Sequence, residues 1–242
     1  EPHKLSLSGV LLIVDQVYPS GPLEAVSFEH WNYTLQSNLL TPLNFLSSGG
    51  IELLRKQDSR LVLVAPVIIG SLSLPYYAPE ATVHGALKAL SLSLYRELST
   101  QYIPFTEIRV GSFDTRNVKT SPGSRFPSPP TSSGSTSASS PSASSSIKNN
   151  QEATSAIQAD ILSWPENMRR IYGRGYRASA QWSSSPSQGS PLIYLYFSVF
   201  DTLKAKNPPR VVHVGQGSRC YDLLASWAPE KLITLLARSA SN

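Results

Sequence analysis

Two unbroken aliphatic runs constrain the fold of this chain more than any other feature of its sequence. The first, VLLIV, spans Val10 to Val14, and the second, LVLVAPVII, lies within Arg60 to Ile69. An unbroken apolar run suits a strand that is buried on both faces of a parallel sheet, because a half-exposed strand alternates apolar and polar residues. Between the runs, Ser27 to Leu54 carries apolar residues at spacings of three, four and seven, which predicts a helix capped by Ser27.

The alternation of strand and helix continues along the chain. A helix is predicted over Ala81 to Tyr102 and a third strand over Phe105 to Val110. Such β-α-β-α-β order implies right-handed crossovers and an α/β fold with a parallel sheet and helices on both faces. The remaining predicted elements are helices over Trp164 to Tyr172, Leu192 to Lys206 and Pro229 to Ala237, a strand over Arg210 to Val214, and a turn at Gly215 to Gly217.

A serine- and proline-rich segment interrupts this pattern. From Ser121 to Ser146, thirteen of the 26 residues are serine and five are proline. Because such a segment has little apolar surface to offset the entropy of ordering, we expect a disordered insertion whose serines are candidate phosphorylation sites. The predicted organisation is a β-α-β-α-β core over residues 1–120, the insertion over 121–150, and the closing helices and strand of the same domain over 151–242. After the insertion, Ser163 and Glu166 have capping-box spacing, and Gly173 is a candidate helix terminator.

Charge and cysteine content exclude several classes of function. The net charge of +5 comes from 21 basic and 16 acidic residues, and the basic residues are scattered apart from Arg169, Arg170, Arg174 and Arg177, so no nucleic-acid binding is predicted. The single cysteine, Cys220, cannot form an internal disulfide, which favours an intracellular protein of the cytoplasm or the mitochondrion. No histidine has a ligand partner at metal-binding spacing, and no apolar run approaches the ~18 residues of a membrane span.

The segment from Ala78 to Leu98 resembles an active-site helix of the short-chain dehydrogenase/reductase (SDR) family. It reads APEATVHGALKALSLSLYREL, and the family pattern is Tyr, three residues, Lys, one residue, Ala-Leu, and later Glu-Leu. Ala86-Leu87 and Glu97-Leu98 fit this frame. The resemblance therefore implies that Glu80 occupies the position of the catalytic tyrosine and His84 that of the lysine.

Other segments resemble the same family in the expected order. Asn38 resembles the helix asparagine of the family's proton relay, and Pro66, between Ala65 and Val67, falls where a serine should polarise the substrate carbonyl. The stretch from Val110 to Thr115 resembles the turn beside the nicotinamide, which makes Gly111 and Thr115 vestigial cofactor positions. The tail NPPRVVHVG, followed by WAPEK, resembles the end of the steroid and retinol dehydrogenase branch.

The resemblance implies a Rossmann-like, SDR-type sheet in which Val10 to Val14 is the family's fourth strand. The Gly-rich turn that binds the dinucleotide does not occur after any predicted strand, so the family's N-terminal strands are expected to be missing from this chain. No cofactor is predicted for the chain itself, and NAD(P) is expected only if a dinucleotide-binding half lies upstream. In its degenerate motifs and serine-rich loop, the chain resembles a fungal branch of that family whose function is unknown.

Three functional hypotheses follow from these residues. The first is a noncatalytic binding or scaffold protein that forms homo-oligomers through the helices Ser27 to Leu54 and Ala81 to Tyr102. The second is an NAD(P)-dependent oxidoreductase acting on a carbonyl or alcohol, with proton donation by Glu80, His84, Tyr76 or Tyr77. The third is regulation through a phosphorylated serine-rich segment that docks onto a partner.

Overall fold

A computed structural model describes residues 7–14, 20–67, 71–114, 161–184, 189–229 and 231–235, with the side chains of 114 and 180–184 excepted. The predicted serine-rich insertion and Thr115 lie outside these residues. The chain divides into two compact units, one formed by residues 1–115 and 187–237 and the other by 116–186 and 238–242. Each unit is described separately below.

The first unit is built on a four-stranded parallel sheet, which confirms the predicted α/β, Rossmann-like class. Across the sheet the order is β1-β2-β3-β6, so each strand lies beside its neighbour along the chain except where β4 and β5 intervene. Those two strands form a separate parallel pair. The strands are β1 (Gly9–Ile13), β2 (Arg60–Pro66), β3 (Phe105–Val110), β4 (Phe113–Asp114), β5 (Ser190–Pro191) and β6 (Val211–Val214).

The helical connection between β1 and β2 is longer and less regular than the predicted single helix. Ser27 caps it as predicted, because its Oγ accepts a hydrogen bond from the backbone N–H of His30 at 3.3 Å. The backbone then passes twice into π-helical turns, and Gly49, with φ of 107°, produces a kink in the second. The segments are α1 (Phe28–Leu35), a π-helix (Gln36–Leu40), α2 (Thr41–Phe45), a second π-helix (Leu46–Gly50) and α3 (Ile51–Lys56).

The next helix, α4 (Ala78–Ser99), connects β2 to β3 and confirms the predicted long helix with a shift of three residues at each end. Its second residue is Pro79, which the first helical turn tolerates because no intrahelical acceptor is available there for a backbone N–H. Buried side chains of α4 pack against one face of β2 and β3, together with those of α1 to α3. This layer contains Val83, Leu87, Leu94 and Leu98 of α4, Leu46 and Leu54 of the preceding helices, and Leu61, Leu63, Ala65 and Phe105 of the sheet.

The opposite face of the sheet is covered by α6 (Ile193–Lys204), through Leu195, Val199 and Leu203. The chain advances in one direction from β1 to β6, yet α6 lies on the other face from α1 to α4. Two crossovers that move across the sheet in the same direction but pass over opposite faces of it have opposite hands. The connection that ends in α6 therefore has the opposite hand from the crossovers that carry α1 to α4, and the right-handed crossovers predicted from the sequence concern only β1 to β3.

Strand β1 lies at an edge of the described sheet, so the predicted burial of both its faces was wrong. Val10 and Leu12 pack into the layer formed by α1 to α4, but the alternate residues Leu11 and Ile13 are 37% and 62% exposed. The physical reason is that α6 packs over β2, β3 and β6 and leaves most of this side of β1 uncovered. Among the described residues, β1 pairs only with β2.

The C-terminal part of the first unit contains a helix that the sequence patterns did not predict. After β6, the turn at Gly215 to Gly217 is present as expected, with φ of 88° and 79° at its two glycines. It leads directly into α7 (Ser218–Trp227). Of the predicted helix from Pro229 to Ala237, residues 231–235 are helical. None of the described helices is both long and apolar enough to span a bilayer.

The second unit contains α5 (Glu166–Ser184), preceded by a helical turn at residues 161–163. The predicted helix from Trp164 to Tyr172 was too short, because Gly173 does not end it. Gly173 is buried inside α5, where a Cβ would lie 3.6 Å from Cγ2 of Ile161. The rings of Trp164 and Tyr176 contact each other at 5.1 Å between centroids.

We predict that Gly111→Ala destabilises the fold by about 1–3 kcal/mol, the usual range for overpacking. A Cβ at Gly111 would lie 2.5 Å from the backbone O of Gln216 and 2.9 Å from the backbone N of Ser218, and neither atom can move independently of the turn. Gly85→Ala is the matched control, since a Cβ there meets nothing within 4 Å and alanine favours a helix by about 0.5–1 kcal/mol. Urea unfolding of both variants measures the difference. Equal stability of the two would contradict this packing.

Candidate functional site

The positions that resemble the SDR active site lie around the carboxyl ends of β2 and β3. Pro66 is the last residue of β2 and is paired with Val110, the last residue of β3, so Gly111 follows at the same edge. Glu80 and His84 lie in the first two turns of α4, which is the next described helix of more than two residues after β2. The π-helical segment that contains Asn38 contacts α4. The fold therefore brings the predicted positions Pro66 and Gly111 to one edge of the sheet and places Asn38 on a segment beside α4.

Asn38 occupies an unusual local structure. It is 1% exposed, and its Nδ2 donates a hydrogen bond to the backbone O of Thr34 at 3.0 Å. Its Oδ1 and the Oγ1 of Thr34 are buried without a hydrogen-bond partner among the described residues. A π-helical turn with unpaired polar atoms is a feature often found at functional sites.

The end of β2 provides no hydroxyl group. Ala65 and Val67 are buried, and the backbone N–H of Val67 donates to the O of Val110 at 3.0 Å, so this backbone continues the sheet into the next residue. Pro66 has neither a hydroxyl nor a backbone N–H. No side chain of these three residues can donate a hydrogen bond to a substrate carbonyl.

His84 differs electrostatically from the lysine that the family places there. Burial lowers the pKa of its imidazole, and the positive charges of Lys88 and Arg109 lower it further, against the opposing effects of Glu107 and Asp222. The side chain is therefore neutral at pH 7. Glu80, one turn earlier, is also half-buried.

The other candidate proton donors do not compensate for this substitution. Burial raises the pKa of Tyr76 above its usual value of 10, so its hydroxyl remains protonated near neutral pH. Tyr77 is 6% exposed and belongs to an apolar cluster with Leu72 and Leu74. Side chains of α7, including Tyr221 and Leu224, pack against this cluster just before the start of α4.

Gly111 has a structural role at this edge. The backbone of the turn at Gln216 lies so close that a Cβ on Gly111 would overlap it, and Ser112 exchanges backbone hydrogen bonds with Gln216 at 2.9 and 3.1 Å. The glycine thus permits the β6–α7 turn to pack on the end of β3. Thr115, the second position assigned to the cofactor, lies outside the described residues.

A buried ionic network next to His84 was missed in the sequence analysis. Glu107 and Arg109 are neighbours on one face of β3, and both are less than 10% exposed. Nε of Arg109 donates to Oε1 of Glu107 at 2.9 Å and Nη2 donates to Oε2 at 3.1 Å, which is a bidentate pair. A Glu-x-Arg pattern within a buried strand was the available signal, because i and i+2 share a face.

The network joins four elements of the first unit. Ser91 of α4 donates its hydroxyl to Oε2 of Glu107 at 2.5 Å, and Nη1 of Arg109 donates to Oδ2 of Asp222 on α7 at 2.6 Å. The same Oδ2 lies 3.1 Å from Nε2 of His213 on β6. Burial raises the pKa of Asp222, but the hydrogen bond with His213 and the charge of Arg109 outweigh burial and lower it.

The chemistry available to this network is limited. Its carboxylates are already paired with a guanidinium, and the one hydroxyl that reaches them, on Ser91, is a donor to Glu107. Within the described part of the chain, no group of three or more His, Cys, Asp or Glu side chains is arranged to hold a metal ion. The network therefore has the features of a structural crosslink between β3, β6, α4 and α7.

A protein-family model matches nearly the whole chain. The family model described as "Fungal family of unknown function (DUF1776)" matches residues 1–234. The chain belongs to this family. Searching curated protein sequences gave no match for this DUF1776 chain.

The solved structures that match this chain include two dehydrogenases. A short-chain dehydrogenase from Streptomyces avermitilis is 13% identical, with a TM-score of 0.57 over 95% of this chain and 69% of that protein. An alcohol dehydrogenase from the archaeon Thermococcus sibiricus, solved with 5-hydroxy-NADP, is 20% identical, with a TM-score of 0.36 over 43% of each chain. This DUF1776 chain thus spans less than half of the archaeal protein. The comparison with the Streptomyces protein confirms the SDR-like, Rossmann-type fold.

We predict that His84 makes the stability of the fold depend on pH. Because its folded-state pKa lies below its unfolded value of about 6.5, the unfolded state binds more protons as the pH falls below that value. The free energy of unfolding should therefore decrease between about pH 7 and pH 5, and His84→Gln should make this decrease smaller. Urea unfolding at each pH is the measurement, with His30→Gln, on the exposed surface, as the control. An identical pH dependence in wild type and His84→Gln would refute the assignment.

Proposed function

We propose that this DUF1776 chain is a noncatalytic SDR-like protein that acts as a binding scaffold. The observation that carries the proposal is the pair on α4, a carboxylate at Glu80 and a neutral imidazole at His84, in the frame that resembles Tyr and Lys. The resemblance requires a phenol to transfer a proton and an ammonium to lower its pKa. Neither group is present at these positions.

The charges at the site also oppose hydride transfer to a carbonyl. The alkoxide that develops in such a reaction needs a nearby donor or positive charge. A carboxylate at Glu80 would supply negative charge, and the end of β2 offers no hydroxyl at Pro66. Packing of α7 next to the start of α4 adds apolar side chains to the same region. These observations support loss of catalysis with retention of the fold, which rests on other residues.

A second copy of the chain is the partner that we propose for this scaffold. Both helix groups of one layer carry large apolar side chains on their surface, including Phe28 at 84%, Tyr33 at 45% and Tyr95 at 38% exposure. Helices α1 and α4 contact each other, so these side chains lie on adjacent helices of the layer. A symmetric dimer would bury the same face of each subunit.

An NAD(P)-dependent oxidoreductase is the second candidate, favoured by the open edge of β1. Its aliphatic sequence suits a central strand, but the outer edge has no strand partner among the described residues, and Ile13 is 62% exposed. A dinucleotide-binding half supplied by a longer protein would add strands at this edge. That arrangement would restore cofactor binding without restoring the phenol or the ammonium.

We predict that the full-length protein does not oxidise NADPH or NADH with any member of a panel of ketones, aldehydes and quinones, measured by absorbance at about 340 nm. Nicotinamide fluorescence during titration with NADPH separately measures binding. Turnover that falls at least about tenfold in Glu80→Gln or His84→Gln, but not in the control Glu97→Gln at an exposed position near the other end of α4, would establish the enzyme instead.

We predict that the protein is a dimer in light scattering and that Phe28→Glu/Tyr95→Glu makes it monomeric, because charge on an apolar interface is costly to desolvate. Trp227→Glu is the control, since Trp227 is 83% exposed but lies on α7. A monomeric wild-type protein, or a dimer that only the control disrupts, would exclude this interface.

A further inference from the structure

The second unit carries a basic helix surface that the proposed function does not use. Four arginines occur within nine residues of α5, and all four are exposed: Arg169, Arg170, Arg174 and Arg177. The only acidic residue of α5 is Glu166, in its first turn. None of the four arginines makes an ion pair with another described residue. Within the described part of the chain, nothing therefore neutralises these four positive charges.

Three of these arginines surround one cavity. Arg169, Arg174 and Arg177 line an open cavity of about 480 Å³, and none of the described residues that line it is acidic. Gly173 also lines the cavity, where it contributes no side chain. Its apolar walls are Ile161, Leu162 and Ala178. Arg170 instead faces a neighbouring depression beside Glu166 and Asn167, so it provides an internal control.

The chemistry of this cavity fits a phosphate monoester. Each guanidinium can donate two parallel hydrogen bonds to phosphate oxygens, and the positive charge of the three more than neutralises a group whose charge is about −1.5 to −2. Nucleic acid fits less well, because none of the described residues that line the cavity is aromatic, so they offer no ring on which a base can stack. A membrane surface is too flat to enter this concave cavity, whereas a single phosphoserine side chain can enter it.

We propose that the cavity lined by Arg169, Arg174 and Arg177 binds phosphoserine, and that its ligand is the chain's own segment Ser121 to Ser146 after phosphorylation. In that reaction a protein kinase transfers the γ-phosphoryl group of ATP to a serine Oγ, releasing ADP and a proton. The segment contains thirteen serines, and three of them precede proline: Ser121, Ser128 and Ser140.

Proximity along the chain supports an intramolecular ligand. Ser146 precedes the first residue of α5, Glu166, by about 20 residues, and a short tether of this kind gives an effective concentration in the millimolar range. Even a phosphoserine of low intrinsic affinity would then occupy the cavity. The segment itself has few acidic groups, so phosphorylation changes it from a poor to a good partner for the arginines.

The direct test uses a fluorescent peptide of residues 134–148 with phosphate on Ser140, and the intact chain, followed by fluorescence anisotropy. We expect at least about tenfold tighter binding than for the unphosphorylated peptide, and about tenfold weaker binding to Arg174→Gln or Arg177→Gln. Arg170→Gln should remain within about twofold of wild type. Because all three side chains are exposed, unchanged melting temperatures should accompany these effects. Equal binding of the two peptides, or equal loss in Arg170→Gln, would overturn the proposal.

A second experiment identifies the source of the ligand. After phosphorylation of the intact chain by a proline-directed kinase, its own segment should occupy the cavity and weaken binding of the labelled peptide about tenfold. Undiminished binding would show that the site serves a phosphoprotein other than this chain and would refute the intramolecular ligand. Vesicles containing phosphatidylserine should not sediment with the chain. Sedimentation that Arg174→Gln abolishes, without discrimination between the peptides, would assign the cavity to lipid instead.

Discussion

Burial of β2 on both faces is the constraint on which the rest of the first unit depends. Its residues from Leu61 to Ala65 are at most 5% exposed, so every side chain of this stretch needs an apolar neighbour above or below the sheet. Its backbone needs a hydrogen-bonded strand at each edge, which β1 and β3 supply. The helices α1 to α4 cover one face and α6 covers the other. Because the connection to β6 places α6 on that second face, its crossover differs in hand from those that carry α1 to α4.

The ionic network has a different role from this apolar core, because it determines which elements meet at β3. A buried guanidinium without a partner is strongly destabilising, so Arg109 requires both the carboxylate beside it on β3 and that of Asp222 on α7. Apolar packing of α7 against residues 72–77 would tolerate several positions of the helix. The hydrogen bonds to Arg109 and His213 favour one, since only that position pairs the charges. The apolar contacts thus stabilise the packing of α7, and the polar contacts determine its position.

Periodicity predicted most of the fold, because strands and helices that face a core must repeat their apolar residues. It located β2, β3, α4 and α6 to within a few residues. It could not show that β1 lies at an edge, because an apolar sequence indicates that a strand needs burial but not whether a neighbouring strand or a covering helix is present. The helix α7 was missed because only part of one face is apolar, and Gly217 suggested a turn alone. In the second unit, Gly173 was taken for a terminator, although a buried glycine also suits close packing inside a helix.

The candidate site was located by resemblance, but its electrostatics depend on contacts that no local motif contains. Asp222 lies 113 residues from Arg109, so only the fold reveals that both act on His84. Burial, together with Lys88 and Arg109, lowers the pKa of the imidazole, and Glu107 and Asp222 oppose this effect. A lysine at position 84 would bring a positive charge into a half-buried place, where the neutral histidine avoids the cost of desolvation. The neutral side chain and the network are therefore compatible with each other, because Arg109 already pairs with the carboxylates of Glu107 and Asp222.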